Sequence, residues 1–156
     1  MAGETEPVLT VDLEAVAANT RTLRARCRGR LMAVVKADGF GHGAANVART
    51  ALQHGASCLG VTSIAEALEL RSSGIDAPVL SWLNPVGADF GSALRHDVEV
   101  AVPSSGHLTA VVDAARASGR TARVHLQLDV GMSRDGARRR RGRSCAPSPG
   151  GPRSAA

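Results

Sequence analysis

The one lysine of this chain, Lys36, ends the run that is most typical of a β-strand, residues 31–35. A lysine in that place is drawn toward a buried layer, where a less solvated amine attacks a carbonyl more readily. A glycine-rich segment, residues 37–43, follows it and leads into a predicted helix. Strand, nucleophile, tight turn and helix N-terminus are how α/β enzymes present a reactive group. The pattern predicts a nucleophilic amine at Lys36; the alternative is an ordinary turn with an exposed lysine at the strand edge.

Other polar side chains offer less specific chemistry. His42 lies in the glycine-rich turn, where a structural hydrogen bond is a more ordinary role than proton transfer. Asp129 ends a predicted strand, and an orienting partner is the role expected of it. Cysteines and the remaining histidines lack metal-ligand spacing, so no metal site and no disulfide framework is predicted. The three histidines at 54, 96 and 107 are expected to be solvated.

Alternating strands and helices must position these groups. Asp12 caps a predicted helix over residues 13–28, and Ser63 with Glu66 has the form of a capping box. Gly119 stops a later helix that is predicted to run through about Ser118. Predicted strands start near residues 31, 58, 78, 98 and 122. Repeated βα units of this length indicate a parallel sheet, either doubly wound or a (β/α)8 barrel. Five strands complete a doubly wound sheet but leave a barrel open.

Composition divides the chain at about residue 136. Residues 1–136 carry 13 basic and 14 acidic side chains, whereas residues 137–156 carry six arginines and no acid. The basic balance of the whole chain therefore says nothing about the folded part. Two interpretations of the tail stay open: a disordered basic arm that binds nucleic acid, or the product of a shifted reading frame in GC-rich DNA. The abrupt change of composition favours the second, so a nucleic-acid partner is not expected.

Two motifs resemble those of one enzyme family. The segment AVVKADGFGHG, residues 33–43, resembles the pyridoxal-phosphate attachment segment of bacterial alanine racemases. The segment HLQLDVGMSRDG, residues 125–136, is similar to the family's motif at the end of its fifth barrel strand. The resemblance covers about residues 8–136, and two motifs in the right order are more specific than one glycine pattern.

The resemblance implies a fold and an activity. It implies an incomplete (β/α)8 TIM-type barrel of about five βα units over residues 8–136, followed by a disordered, aberrant tail over residues 137–156. The implied activity is the pyridoxal-phosphate-dependent interconversion of L-alanine and D-alanine for cell-wall precursors, by an enzyme that is a homodimer at full length. The chain alone is expected to be inactive, because the family's second base is a tyrosine of a C-terminal domain and this sequence has no tyrosine.

The resemblance also implies site residues. Lys36 would attach the cofactor and serve as one catalytic base, while Arg134 matches the arginine that hydrogen-bonds the cofactor's phenolic oxygen. Phe40 and His42 would lie at the cofactor pocket. Phe40 stands where the family commonly has a tyrosine that contacts the cofactor phosphate. Gln127 stands where many members have a carbon-dioxide-modified lysine. Because glutamine cannot form a carbamate, either a bound anion takes its place or that function is lost.

Two other functions remain as alternatives. One is a different pyridoxal-phosphate barrel enzyme or a cofactor-carrier protein with the same lysine strand. The other is a non-catalytic module with a nucleic-acid-binding tail. No leader-like stretch and no apolar run of about 20 residues occurs, so a cytoplasmic protein without a membrane partner is expected.

Overall fold

A five-stranded parallel sheet forms the frame of the protein. The structure is a computed structural model that describes residues 7–138. The strands are β1 (Met32–Val34), β2 (Cys58–Val61), β3 (Val79–Ser81), β4 (Val98–Val102) and β5 (Val124–Leu126), with a second, two-stranded sheet of β6 (Leu128–Asp129) and β7 (Ala137–Arg138). The helical segments are α1 (Leu13–Arg26), α2 (Lys36–Gly41), α3 (Ala44–Gln53), α4 (Ile64–Ser72), α5 (Phe90–Arg95) and α6 (Ser105–Ser118).

The order of the strands decides between the two predicted architectures. Each strand pairs with the next one along the chain, in the order β1-β2-β3-β4-β5, and all four pairings are parallel. A doubly wound sheet reverses its order at a switch point, whereas a barrel adds its strands in sequence. The predicted incomplete barrel with five βα units is therefore confirmed. Within residues 7–138, β1 and β5 each pair on one side only.

Side chains that cap the helices fix where the βα units turn. Asp12 Oδ1 accepts a hydrogen bond from the Ala15 amide at 3.1 Å and begins α1. Ser63 and Glu66 form the predicted capping box of α4. Gly119, at φ 63°, ends α6 in the left-handed conformation that glycine adopts without strain. These three predictions are confirmed.

The apolar core lies between the sheet and its helices. Leu59 and Val61 of β2 and Val100 of β4 are almost completely buried on the helix side of the sheet. The alternate residues of the strands face the opposite side, which in a closed barrel is the interior. Leu126 of β5 is 73% exposed, because no described element covers that end of the sheet.

The last predicted strand and the predicted tail differ from the structure. A continuous strand over residues 123–129 was expected, but it is interrupted at Gln127, whose amide donates to the Val102 carbonyl at 3.1 Å while its own carbonyl accepts from Ala137 at 2.8 Å. Gln127 thus links the two sheets. The first two residues of the predicted tail form β7, and the remainder, 139–156, lies outside the described residues. No helix in the described part is long and apolar enough to cross a membrane.

Candidate functional site

Lys36 lies at the carboxyl end of β1, where barrel enzymes carry their reactive groups. Its side chain is half-buried, and Nζ lies 5.3 Å from the centre of the Phe40 ring. That distance is within the range of a cation–π contact. The ring itself is 80% exposed. Phe40 thus lies beside the amine and presents the face of its ring to it.

The segment after Lys36 is a turn of left-handed helix. Ala37, Asp38, Gly39 and Phe40 have φ values of 52°, 51°, 60° and 63°. Three of these residues carry a Cβ, and the left-handed conformation costs such residues about 1–2 kcal/mol each. The sequence predicted a glycine-rich turn here but not its handedness. Hydrogen bonds must therefore offset this cost and hold the turn in its left-handed conformation.

Hydrogen bonds within the turn supply part of that support. The Gly39 amide donates to the Val35 carbonyl at 2.9 Å, and Asp38 Oδ1 accepts from the Ala44 amide at 2.7 Å, which caps the start of α3. The exposed His42 has Nδ1 2.8 Å from the Gly39 carbonyl, to which it donates. His42 therefore makes the structural hydrogen bond that was expected of it; its contact with a cofactor stays a prediction.

Glu66 supplies the contact that reaches the turn from another βα unit. One carboxylate oxygen, Oε1, accepts from the Ala37 amide at 2.7 Å. The other oxygen, Oε2, accepts from the Thr62 amide at 2.8 Å, the Thr62 hydroxyl at 2.6 Å and the Ser63 amide at 3.1 Å. The sequence indicated Glu66 as half of a capping box but gave no signal of its bond to Ala37, 29 residues away. One side chain thus joins the turn after β1 to the loop after β2.

The charge state of Glu66 follows from these contacts. Burial alone raises the pKa of a carboxyl, because it disfavours the charged form. Here the hydrogen bonds from Thr62, Ala37 and Ser63 outweigh that effect and lower the pKa of Glu66 to about 2. The brace on the Lys36 turn is therefore an ionised carboxylate throughout the neutral range.

The interior face of the sheet is filled around one glycine. A Cβ placed on Gly60 would lie 2.6 Å from the Trp82 ring and 2.9 Å from Met32 Sδ. Only glycine leaves room for both side chains, so Trp82 packs across β2. A cavity of about 280 Å³ remains beside Trp82, lined also by residues such as His125 and Gln127.

Gln127, one of the residues that line this cavity, has an unsatisfied acceptor. Its Oε1 is buried and has no hydrogen-bond partner among the described residues. Leaving such a group unpaired costs about 1–3 kcal/mol, so the site favours a donor. A glutamine also cannot carry the carbon-dioxide modification expected at this place in many relatives. Its functional role stays a prediction.

Asp129 is the last residue of β6, and Arg134 lies in the loop that follows. Asp129 Oδ1 accepts from the amides of Gly131 at 3.0 Å and Ser133 at 2.9 Å, so it shapes this loop. The Arg134 side chain is exposed. Lys36, Phe40 and His42 share one turn after β1, whereas Arg134 follows the opposite edge of the sheet. The five described strands do not pair these two edges with each other.

Within residues 7–138, the remaining histidines and cysteines form no metal-ligating group. No group of three or more metal-ligating side chains occurs within residues 7–138. His96 is exposed, as predicted, but His107 is half-buried with both ring nitrogens bonded, Nδ1 to Ser104 Oγ at 2.8 Å and Nε2 to the Asn84 carbonyl at 3.0 Å. The prediction that His107 is solvated was wrong, because it helps to cap α6. His54 is also half-buried, with Nδ1 2.7 Å from the Thr50 carbonyl.

Comparison with known proteins connects this site to one family. The profile of the family described as alanine racemase, N-terminal domain, matches residues 11–145. The alanine racemase of Mycobacterium ulcerans is 55% identical over 127 residues, which are 81% of this chain and 33% of that protein. The Mycobacterium tuberculosis H37Rv alanine racemase is 54% identical over the same shares. The chain spans about a third of the length of these curated relatives.

Solved structures agree with the sequence relatives. The alanine racemase of D-cycloserine-producing Streptomyces lavendulae superposes with a TM-score of 0.80 at 47% identity, covering 81% of this chain and 34% of that one. The Bacillus anthracis alanine racemase with bound L-Ala-P gives a TM-score of 0.73 at 33% identity, covering 83% and 34%. Both likenesses combine a common fold with substantial identity. The chain belongs to the alanine racemase family.

Proposed function

We propose that Lys36 attaches pyridoxal phosphate and that the barrel portion described here serves an enzyme that interconverts L-alanine and D-alanine. One observation carries the proposal: the single lysine stands at the carboxyl end of β1, on a left-handed turn braced from a second βα unit. The names of the relatives supply the substrate. We also propose that residues 8–136 form the barrel portion and residues 137–156 a separate tail.

The described residues fit the cofactor at its aldehyde end. Lys36 is only half-buried, so its amine can react with an aldehyde, and Phe40 offers a flat apolar surface beside it. This turn offers fewer hydrogen-bond donors to the phosphate end of the cofactor, since Phe40 lacks the hydroxyl that the family resemblance implies at this position. When bound, pyridoxal phosphate withdraws electrons from an amino acid, so that the Cα proton becomes acidic enough for a protein base to remove.

Lys36 has a second task once an amino acid is bound. Its Nζ takes the proton from Cα on one side of the substrate or returns it there. Inversion requires another base on the opposite side, because one base restores the original configuration. The sequence contains no tyrosine, so the tyrosine implied by the family resemblance is not supplied by this chain. We therefore propose that this chain alone does not racemise alanine.

The other site residues are assigned supporting roles. Arg134 binds the cofactor's phenolic oxygen once the two sheet edges are brought together, and His42 keeps the turn in shape near the cofactor. The buried Oε1 of Gln127, which is unpaired among the described residues, is left for a donor. A homodimer of the full-length enzyme remains part of the proposal.

Chemical trapping tests the attachment site. The chain is incubated with pyridoxal phosphate, reduced with borohydride, digested and mapped by mass spectrometry. We expect one stable adduct on Lys36, which the Lys36→Ala variant lacks. The N-terminal amine is the internal control, because it reacts without a folded site. An adduct confined to the N-terminus, in a chain shown by circular dichroism to be folded, would contradict the proposal.

A further inference from the structure

We infer that Glu66 is a positioning residue for Lys36: its ionised carboxylate holds the left-handed turn that sets where the lysine stands. What Lys36 then does rests on the proposed function, but the positioning itself does not. The capping-box pattern of residues 63–66 does not predict that Glu66 also positions Lys36. It comes from the contact between Glu66 and the backbone of Ala37.

The geometry divides the carboxylate between two tasks. Oε2 serves the loop after β2, where it accepts from Thr62 and Ser63. Oε1 accepts only from Ala37, the residue that directly follows Lys36, at 2.7 Å. A helix cap needs one oxygen, so the Oε1 contact is additional to the cap. It fixes the first residue of the left-handed turn.

The chemistry of the partners requires a carboxylate. All four groups around Glu66 are donors: the amides of Ala37, Thr62 and Ser63 and the Thr62 hydroxyl. An ionised carboxyl is an acceptor at both oxygens, whereas a glutamine presents one oxygen and one NH2 group. With glutamine, a backbone N–H of one of the two loops must therefore lie against the side-chain NH2 group, and neither can accept a hydrogen bond from the other. Three donors meet Oε2 and one meets Oε1, so the oxygen of a glutamine is best placed toward Thr62 and Ser63, which turns its NH2 group toward the Ala37 amide. Glu66→Gln therefore removes the brace with almost no change of volume.

The strain of the turn makes the brace necessary. Ala37, Asp38 and Phe40 adopt positive φ values although each carries a Cβ. Such conformations persist only where the surroundings impose them. Without the Oε1 contact, the amide of Ala37 loses its acceptor in a segment that already favours other conformations. The segment then opens, and Lys36 loses its fixed place.

The single lysine permits a test that needs no cofactor. Endoproteinase Lys-C cleaves after lysine, so in this chain it can cut only the Lys36–Ala37 bond. Resistance of that bond reports directly on the order of the turn. Cleavage is followed by mass spectrometry at several protease concentrations, and global stability is measured in parallel by urea unfolding. We expect Glu66→Gln to be cut at least about tenfold faster than the wild type, since losing a hydrogen bond to a charged group shifts local opening by that order.

Two control variants separate positioning from helix capping. Ser63→Ala removes the hydroxyl that caps the Glu66 amide but leaves the bond between Glu66 and Ala37 intact. Glu69→Gln changes an exposed carboxylate on the same helix. We expect both controls to be cut at the wild-type rate after correction for global stability. Should Glu66→Gln fail to fold, Glu66→Asp, which keeps the charge but is too short to span both loops, takes its place with the same expectation.

The outcomes are distinct for the inference and for the proposed function. Equal corrected cleavage of Glu66→Gln (or Glu66→Asp) and Ser63→Ala would overturn the positioning role. The trapping yield at Lys36 gives a second readout, which we expect to fall in Glu66→Gln but not in Ser63→Ala. A wild-type chain that forms no adduct would contradict the proposed function, and the Lys-C comparison would still decide the role of Glu66.

Discussion

Arg71 offers the sharpest test of how the βα units are held together. Its guanidinium donates from Nε to the His96 carbonyl at 2.8 Å, from Nη1 to the carbonyls of Ile75 at 2.7 Å and Ala77 at 2.8 Å, and from Nη2 to the Asp97 carbonyl at 3.0 Å. These carbonyls precede β3 and β4. One side chain of α4 thus ties together the starts of two strands. We predict that Arg71→Ala weakens the whole sheet.

The expected loss can be estimated from these contacts. Hydrogen bonds to a charged group contribute about 1.5–3 kcal/mol each when they are buried. The carbonyls of His96 and Asp97 belong to exposed residues, so water replaces the guanidinium there, whereas Ile75 is 4% exposed. Counting only the two bonds to the carbonyls of Ile75 and Ala77 gives a loss of about 3–6 kcal/mol in the free energy of unfolding.

Urea unfolding followed by circular dichroism measures this loss, with Arg49→Ala as the control. Arg49 also donates to a backbone carbonyl, that of Ser73 at 2.6 Å, but it is exposed. We expect the control to lose less than about 1 kcal/mol. A loss below about 1 kcal/mol for Arg71→Ala as well would refute the reasoning, because the buried carbonyls would then need no arginine.

Three further predictions follow. The pKa of Glu66 is lowered from 4.5 to about 2, so its ionised form stabilises the fold at all pH values above 4.5. The difference in unfolding free energy between the wild type and Glu66→Gln should therefore stay constant above about pH 5.5 and shrink as the pH falls from 4.5 toward 2. A difference in urea melts that stays constant from pH 4.5 to 2 would contradict this. Gly60→Ala should lower the free energy of unfolding by about 1–3 kcal/mol, because the added methyl group crowds Trp82 and Met32. The fluorescence of the single tryptophan should shift as well. Unchanged emission and unchanged stability would contradict the packing around Gly60. Phe40→Tyr should leave the melting temperature unchanged, since the Phe40 ring is exposed. The added hydroxyl should tighten the binding of pyridoxal phosphate by about 1–3 kcal/mol. Equal tightening for pyridoxal, which has no phosphate, would show that the hydroxyl does not reach the phosphate.

Local signals in the sequence were sufficient for the elements of the fold. Apolar runs marked the five strands, and Asp12, Ser63 and Gly119 marked helix ends through short-range hydrogen bonds or backbone freedom. The choice between an open sheet and a barrel needed the order of the strands. That order depends on pairing between distant segments, which no local pattern of residues determines.

The candidate site was predicted only in part. The motif around Lys36 indicated the reactive amine, but the left-handed conformation of Ala37, Asp38 and Phe40 contradicts their local preference and arises from tertiary contacts. The bond from Ala37 to Glu66 joins residues in different βα units, so the capping-box pattern alone could not reveal it. The interruption of the last strand at Gln127 likewise depends on its contact with Ala137.

Lys36 is the amine on which the proposed cofactor attachment depends. The decisive measurement is a titration of the chain with pyridoxal phosphate, followed by visible absorbance, beside the variant Lys36→Arg, which keeps the charge but lacks the nucleophilic amine. The account predicts a saturable absorbance with one cofactor per chain in the wild type and none in the variant. Identical titrations of the two proteins would contradict it.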